Sequence, residues 1–202
     1  MTSLEKLIKH FERFPGIGSR QARRFAYHLL KETDEEITEL SNLILHIKEE
    51  VTRCDQCFRF FAKNGGGSTC SICNDTQRDN TKLMVVERDS DIEAIERSGI
   101  YDGLYFVLGG SVPLLNTDDD KKLNAGALKR VVETREGLQE LILAFAVNPD
   151  GENTGRFVES VVKDIVKERN IKLSELGRGL STGSELEYAD PETIKNAFKG
   201  RH

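Results

Sequence analysis

The sequence predicts an α/β protein built from an N-terminal helix-hairpin-helix segment, a four-cysteine finger, a parallel α/β domain and a short C-terminal segment. Three observations predict it. All four cysteines lie between Cys54 and Cys73, in two Cys-x-x-Cys pairs. Before them, apolar residues recur at helical spacing on either side of a Pro-Gly-Ile-Gly turn. After them, short apolar runs alternate with amphipathic helical stretches, the pattern of a parallel sheet flanked by helices. The expected boundaries are 1–52, 53–78, 79–176 and 177–202.

The finger is the most specific motif. Cys54 and Cys57 are separated from Cys70 and Cys73 by twelve residues. Two such pairs at this distance form the ligand set of a structural zinc site, whose four thiolates leave no open position for chemistry. Gly65-Gly66-Gly67 lets the linker reverse and bring the second pair back. Two disulfides would suit a secreted chain, and no signal peptide opens this one. A redox pair or an iron–sulfur cluster also remains compatible with the spacing, and zinc is the expectation.

The chain has 202 residues and a net charge of -5, which by itself argues against a polyanionic partner. The distribution argues the other way. Residues 1–31 hold seven Lys/Arg against two acids, a local +5, so the remainder carries -10. No apolar run reaches the roughly 18–20 residues that would span a membrane, and the expected location is cytoplasmic.

Within the basic segment, Leu4, Leu7, Ile8 and Phe11 predict a helix over 3–13, with Ser3 as its N-cap. Pro15 stops it, and Gly16 and Gly18 offer positive φ for a compact hairpin. A second helix is expected from Ser19 to about Lys31. The hairpin amides and the start of that helix would meet at one point, which suits a phosphate oxygen. Arg20, Arg23 and Arg24 would reach neighbouring phosphates, so Gly16, Gly18 and these arginines are the candidate DNA-binding residues. Nothing there reads base edges, so binding would be independent of sequence. A third helix is expected over 34–51, with Ile37, Leu40, Ile44 and Ile47 facing inward.

In the second half, strands are expected at 83–86, 104–108, 141–147 and 171–176. Helices are expected at 91–98, 128–133 and 154–170, and residues 111–124 read as a polar irregular stretch. Chemistry in such sheets sits at the carboxyl ends of strands. Glu87 follows the first strand, and Asp150 and Glu152 follow the third. If the three converge, they could hold a weakly bound Mg²⁺; acids in surface loops are also ordinary solubilising residues.

These features together resemble the bacterial RecR family of recombination mediators, over nearly the whole chain. The resemblance rests on Phe14 to Gly18, Cys70-Ser71-Ile72-Cys73 through Arg78-Asp79, Gly103-Leu104-Tyr105 with Leu108-Gly109-Gly110, and Arg178-Gly179-Leu180 followed by Gly183-Ser184-Glu185-Leu186-Glu187-Tyr188-Ala189-Asp190. It implies that the α/β domain is of the Toprim type. It also implies a non-enzymatic repair protein that binds single- and double-stranded DNA, associates with the nucleoid and forms a ring-shaped homotetramer. RecO-like and RecF-like proteins would be its partners in loading RecA at single-strand gaps. Arg20 and Arg24 carry over as basic contacts, and Glu87, Asp150 and Glu152 as the Toprim acids. The chain departs from the family pattern in the loop at 148–153, which is shorter, and at 117–122, where Asp and Lys replace glycine-rich sequence. The alternative class, a Toprim enzyme, needs a nucleophile; Tyr27, Tyr101, Tyr105 and Tyr188 are the tyrosines, and none lies in a separate catalytic module.

Overall fold

The computed structural model describes residues 1–63, 66–114, 123–180, 183 and 185–200. It divides into two compact units, Met1–Val51 and Thr52–His202.

The first unit is helical: α1 (Ser3–Phe11), α2 (Ser19–Leu29) and α3 (Asp34–Glu50). Thr2, not Ser3, caps α1, because Glu5 returns the bond to complete a capping box. Thr33 and Glu36 repeat the device on α3. The apolar stripe of α1 packs on α2, where Ala22 and Ala26 are fully buried and Phe25 meets Phe11 edge-on at 5.9 Å. The expectation for α3 needs correction. None of its 17 residues is buried, and Leu40, Ile44 and Ile47 are exposed together with Leu43 and Leu45. Periodicity located the apolar face but not what covers it.

A small two-stranded sheet follows at the boundary, β1 (Val51–Arg53) and β2 (Phe60–Ala62), which carries the first cysteine pair between its strands. A single turn of helix, α4 (Ser71–Asn74), carries Cys73 just after Cys70. The α/β domain follows as β3 (Asp79–Val86), α5 (Asp89–Ser98), β4 (Gly103–Val107), α6 (Ala125–Thr134), β5 (Glu140–Ala144), α7 (Pro149–Glu168) and β6 (Lys172–Glu175). Its four strands run in the order β4-β3-β5-β6 and every pair is parallel, as the alternation predicts. The order in which strands are added reverses after β4, from one side of β3 to the other. Right-handed crossovers therefore put α5 on one face and α6 with α7 on the other, and α6 packs against α7. Leu83, Val85, Val86, Phe106, Leu108, Leu128, Val132, Leu141, Val158 and Val162 form the core between these layers.

Two further boundaries differ from expectation in ways that matter to the site. α7 begins at Pro149, five residues before the expected Thr154, because Pro149 suits the first helical turn and the Asn148 side chain accepts from the Gly151 N–H. Asp150 and Glu152 thus sit in a helical first turn and not in a loop. β3 begins at Asp79, ahead of its apolar run, because its polar half still pairs with β4 through an irregular register. The C-terminal segment, for which no element was expected, holds a short 3-10 turn at Leu186–Tyr188 and α8 (Pro191–Lys199), capped by Asp190. The altered stretch 117–122 lies outside the described residues, as do Gly65 and Ser184.

Candidate functional sites

The hairpin is a tight turn over Phe14-Pro15-Gly16-Ile17. The Ile17 N–H donates to the Phe14 carbonyl at 3.1 Å, and Gly16 has φ +76°. Proline at the second position and a positive-φ glycine at the third are the marks of a type II turn. Gly18 plays a different part from the one expected. Its backbone is extended (φ -82°), and it stands as the N-cap of α2 with no side chain to bond the first amides. A Cβ at Gly16 or Gly18 would meet nothing within 4 Å, so the turn is open to a close-approaching ligand. The first N–H groups of α2 thus remain available to an anion, at the positive end of the helix dipole. Arg20, Arg23 and Arg24 are exposed beside them. Among the described residues none of the three pairs with a carboxylate; Arg24 bonds only the Gln21 amide oxygen, at 3.3 Å.

The four cysteines come together. Their sulfurs all lie within 4.8 Å of one another, with Cys54, Cys57 and Cys70 buried and Cys73 half-buried. The Cys57 and Cys70 sulfurs stand 3.6 Å apart. Four thiolates at ~2.3 Å from one tetrahedral zinc would stand about 3.8 Å from each other, so the spacing fits that ion. The Cys70 N–H also donates to Cys54 Sγ at 3.4 Å, the kind of backbone bond that supports a thiolate. Without a cation the four groups conflict. Hydrogen bonds to Cys70 and Cys73, then burial, push the Cys57 thiol up, while the bond from Cys57 draws Cys70 down.

The finger is built into the α/β core. The Val107 N–H donates to the Cys57 carbonyl at 2.8 Å, the Phe60 N–H donates to Asp89 at 2.7 Å, and Phe58 stacks on Phe106 at 5.2 Å. Phe58 itself has φ +66°, an uncommon conformation for a bulky residue, held by that stacking and by the Arg53 guanidinium 4.7 Å from its ring. On the other flank Arg78 bonds Glu96 and the Gly103 carbonyl, and the Tyr105 hydroxyl donates to the same Glu96 at 2.6 Å. Sequence reading missed this network. Its signal was the run from Cys73 to Arg78, noted only as a point of resemblance.

The acids are divided. Glu87 and Asp150 line one cavity of about 300 Å³ with Asp91, Ser111 and Asn148. It sits at the carboxyl ends of β3 and β5, the switch point of the sheet. Glu152 points elsewhere: Arg178 donates to it at 2.8 Å, and Arg156 stands 3.8 Å from its other oxygen. That pairing raises the Arg178 pKa. Glu87 is paired with Arg88 at 2.7 Å, and Asp150 accepts from the Leu114 N–H at 3.0 Å. Among the described residues only the cysteines form a cluster of three or more potential metal ligands. Glu87, Asp150 and Glu152, which could hold a weakly bound Mg²⁺ only if they converged, do not all converge, because the helical turn sends residues 150 and 152 in different directions.

Comparison with known proteins agrees with this layout. Family models described as "RecR, helix-hairpin-helix", "Toprim domain" and "RecR, C-terminal" match residues 4–48, 81–176 and 179–202. A protein named Recombination protein RecR from Rubrobacter xylanophilus is 38% identical over 199 residues, covering 98% of this chain and 96% of its own. The chain belongs to the RecR family. Proteins of the same name from Ligilactobacillus salivarius and Staphylococcus saprophyticus are 33% and 35% identical, each over 98% of this chain and 96% of their own. Among the described residues no helix is long and apolar enough to cross a membrane.

Proposed function

We propose that this RecR-family chain is a non-catalytic mediator of recombinational DNA repair, which grips the DNA backbone through its N-terminal hairpin. The observation that carries the reading is the hairpin itself: an open glycine turn, uncapped amides at the start of α2, and three exposed arginines with no acidic partner among the described residues. Such a site suits phosphates of single- or double-stranded DNA in any sequence. One Zn²⁺ held by Cys54, Cys57, Cys70 and Cys73 would fix the finger and do no chemistry. The chain would work as a homotetramer on the cytoplasmic nucleoid, with RecO-like and RecF-like partners, to load RecA at gaps. The uncovered apolar face of α3, with Leu40, Leu43, Ile44 and Ile47, supports self-association. Several arms together would also offset the weak grip of one +5 arm on a -10 body.

The same reading assigns no catalysis to the Toprim acids. Glu152 is neutralised internally, and the Tyr101 and Tyr105 hydroxyls are committed donors whose pKa burial drives up. Asp150, and Glu87 by exchanging its Arg88 partner, would meet a basic surface on a RecO-like partner. The direct test is DNA affinity against salt concentration for the full chain. Arg20→Glu or Arg24→Glu should weaken binding to all sequences alike and lower the salt slope by about 1 for each lost phosphate contact. Binding that matches the parent across the salt series would move the site elsewhere.

A further inference from the structure

We propose that the solvent face of α1 is a second contact surface for nucleic-acid phosphates, separate from the hairpin. The proposal rests on the reading of the chain as a DNA-binding protein. It starts from Lys6 and Lys9 on α1 and Arg13 in the turn that follows, all exposed. At 3.6 residues per turn they fall on the side opposite Leu4, Leu7, Ile8 and Phe11. Those four half-buried residues make the face that packs on α2. A shallow hollow of about 100 Å³ opens among Lys6, Lys9, His10 and Arg13, beside Met1.

This charge is not balanced within the chain. Glu5 lies one turn from Lys9, at the i,i+4 spacing that usually pairs, but its carboxylate is committed to the Thr2 N–H at 2.7 Å in the capping box. Among the described residues no carboxylate pairs with Lys6, Lys9 or Arg13. A basic amphipathic helix can also signal a membrane surface, but that use needs the apolar face, and here α2 occupies it. What remains is a cationic strip, Lys6 to Arg13, that spans about two turns, a reach that suits successive phosphates of one strand. On α2 the same logic places Arg20, Arg23 and Arg24 away from Ala22 and Ala26, and so away from α1. The two basic faces lie back to back across the helix pair. They cannot substitute for one another, and losses from the two should add.

The test uses the full chain and a labelled mixed-sequence duplex, titrated by fluorescence anisotropy over a range of salt. The Lys6→Ala/Lys9→Ala/Arg13→Ala variant should lower the slope of log affinity against log salt by ~2–3, at ~0.9 per contact. Lys6→Arg/Lys9→Arg should bind as the parent does, since charge and not ammonium shape is required. Circular dichroism and mass measured in parallel confirm that the triple variant keeps its helices and its assembly. If Arg24→Ala weakens binding while the triple variant keeps the parent's affinity and slope, the second face is overturned and the hairpin reading stands. If the parent itself does not bind, both fall together.

Discussion

At the scale of single residues, two glycines do two different jobs. Gly16 supplies a positive φ that the turn demands, while Gly151 is needed for space: a Cβ there would run into the Ala146 carbonyl. Tolerance of that contact lets the first turn of α7 sit against the end of β5, which is what separates Asp150 from Glu152. The cysteines act as a unit. Cys70→Ser removes a ligand from a site whose assembly is also folding energy. Zinc content measured by elemental analysis should drop below one per chain, and stability should fall by an amount on the order of several kcal/mol. A variant that keeps both its zinc and its melting temperature would show that the four sulfurs do not share a metal. The cysteines were legible because metal spacing is written locally in the chain. The partner of Glu152 was not, since Arg178 is brought to it by a strand and a tail whose docking no spacing encodes.

At the scale of elements, caps decided what periodicity left open. Thr2, Thr33 and Asn148 each place a helix start away from the first apolar residue, by side-chain bonds to amides. The parallel sheet was legible as near-continuous apolar strands. The polar start of β3 was not, because it pairs through the backbone and by ion pairs with no hydrophobic signal. There Lys82 first, then Thr81, holds the Asp79 carboxylate down to about 2. A carboxylate depressed in the folded state stabilises the fold above its unfolded pKa near ~3.9, and that contribution is lost as pH falls through the folded value. Thermal stability should therefore decline between about pH 4 and pH 2, and Asp79→Asn should flatten that part of the profile. An unchanged acid limb in the variant would mean that this end of β3 is not coupled to global unfolding.

At the scale of the whole molecule, charge is segregated: +5 on the first 31 residues and -10 on the rest. The sign of each part matches the job proposed for it, phosphate contact by the arms and recognition of basic partners by the Toprim acids. Glu87→Gln with Asp150→Asn should thus weaken a RecO-like complex, measured by calorimetry, and leave arm-mediated DNA binding intact; equal partner affinity would strip those acids of the role. The proposed self-association is the part least visible in residue spacing. The helical spacing of α3 is what a buried helix and an interface helix have in common, and the exposed Leu43, Ile44 and Ile47 show that this helix is not buried within the chain.

The most direct measurement of the central claim, a multi-armed DNA clamp, is the solution mass of the full chain by light scattering, with and without duplex DNA. The account predicts about four times the 22.7 kDa chain mass, and a further increase when DNA is added that disappears at high salt. A chain that stays monomeric at micromolar concentration, with no added mass on DNA, would contradict it.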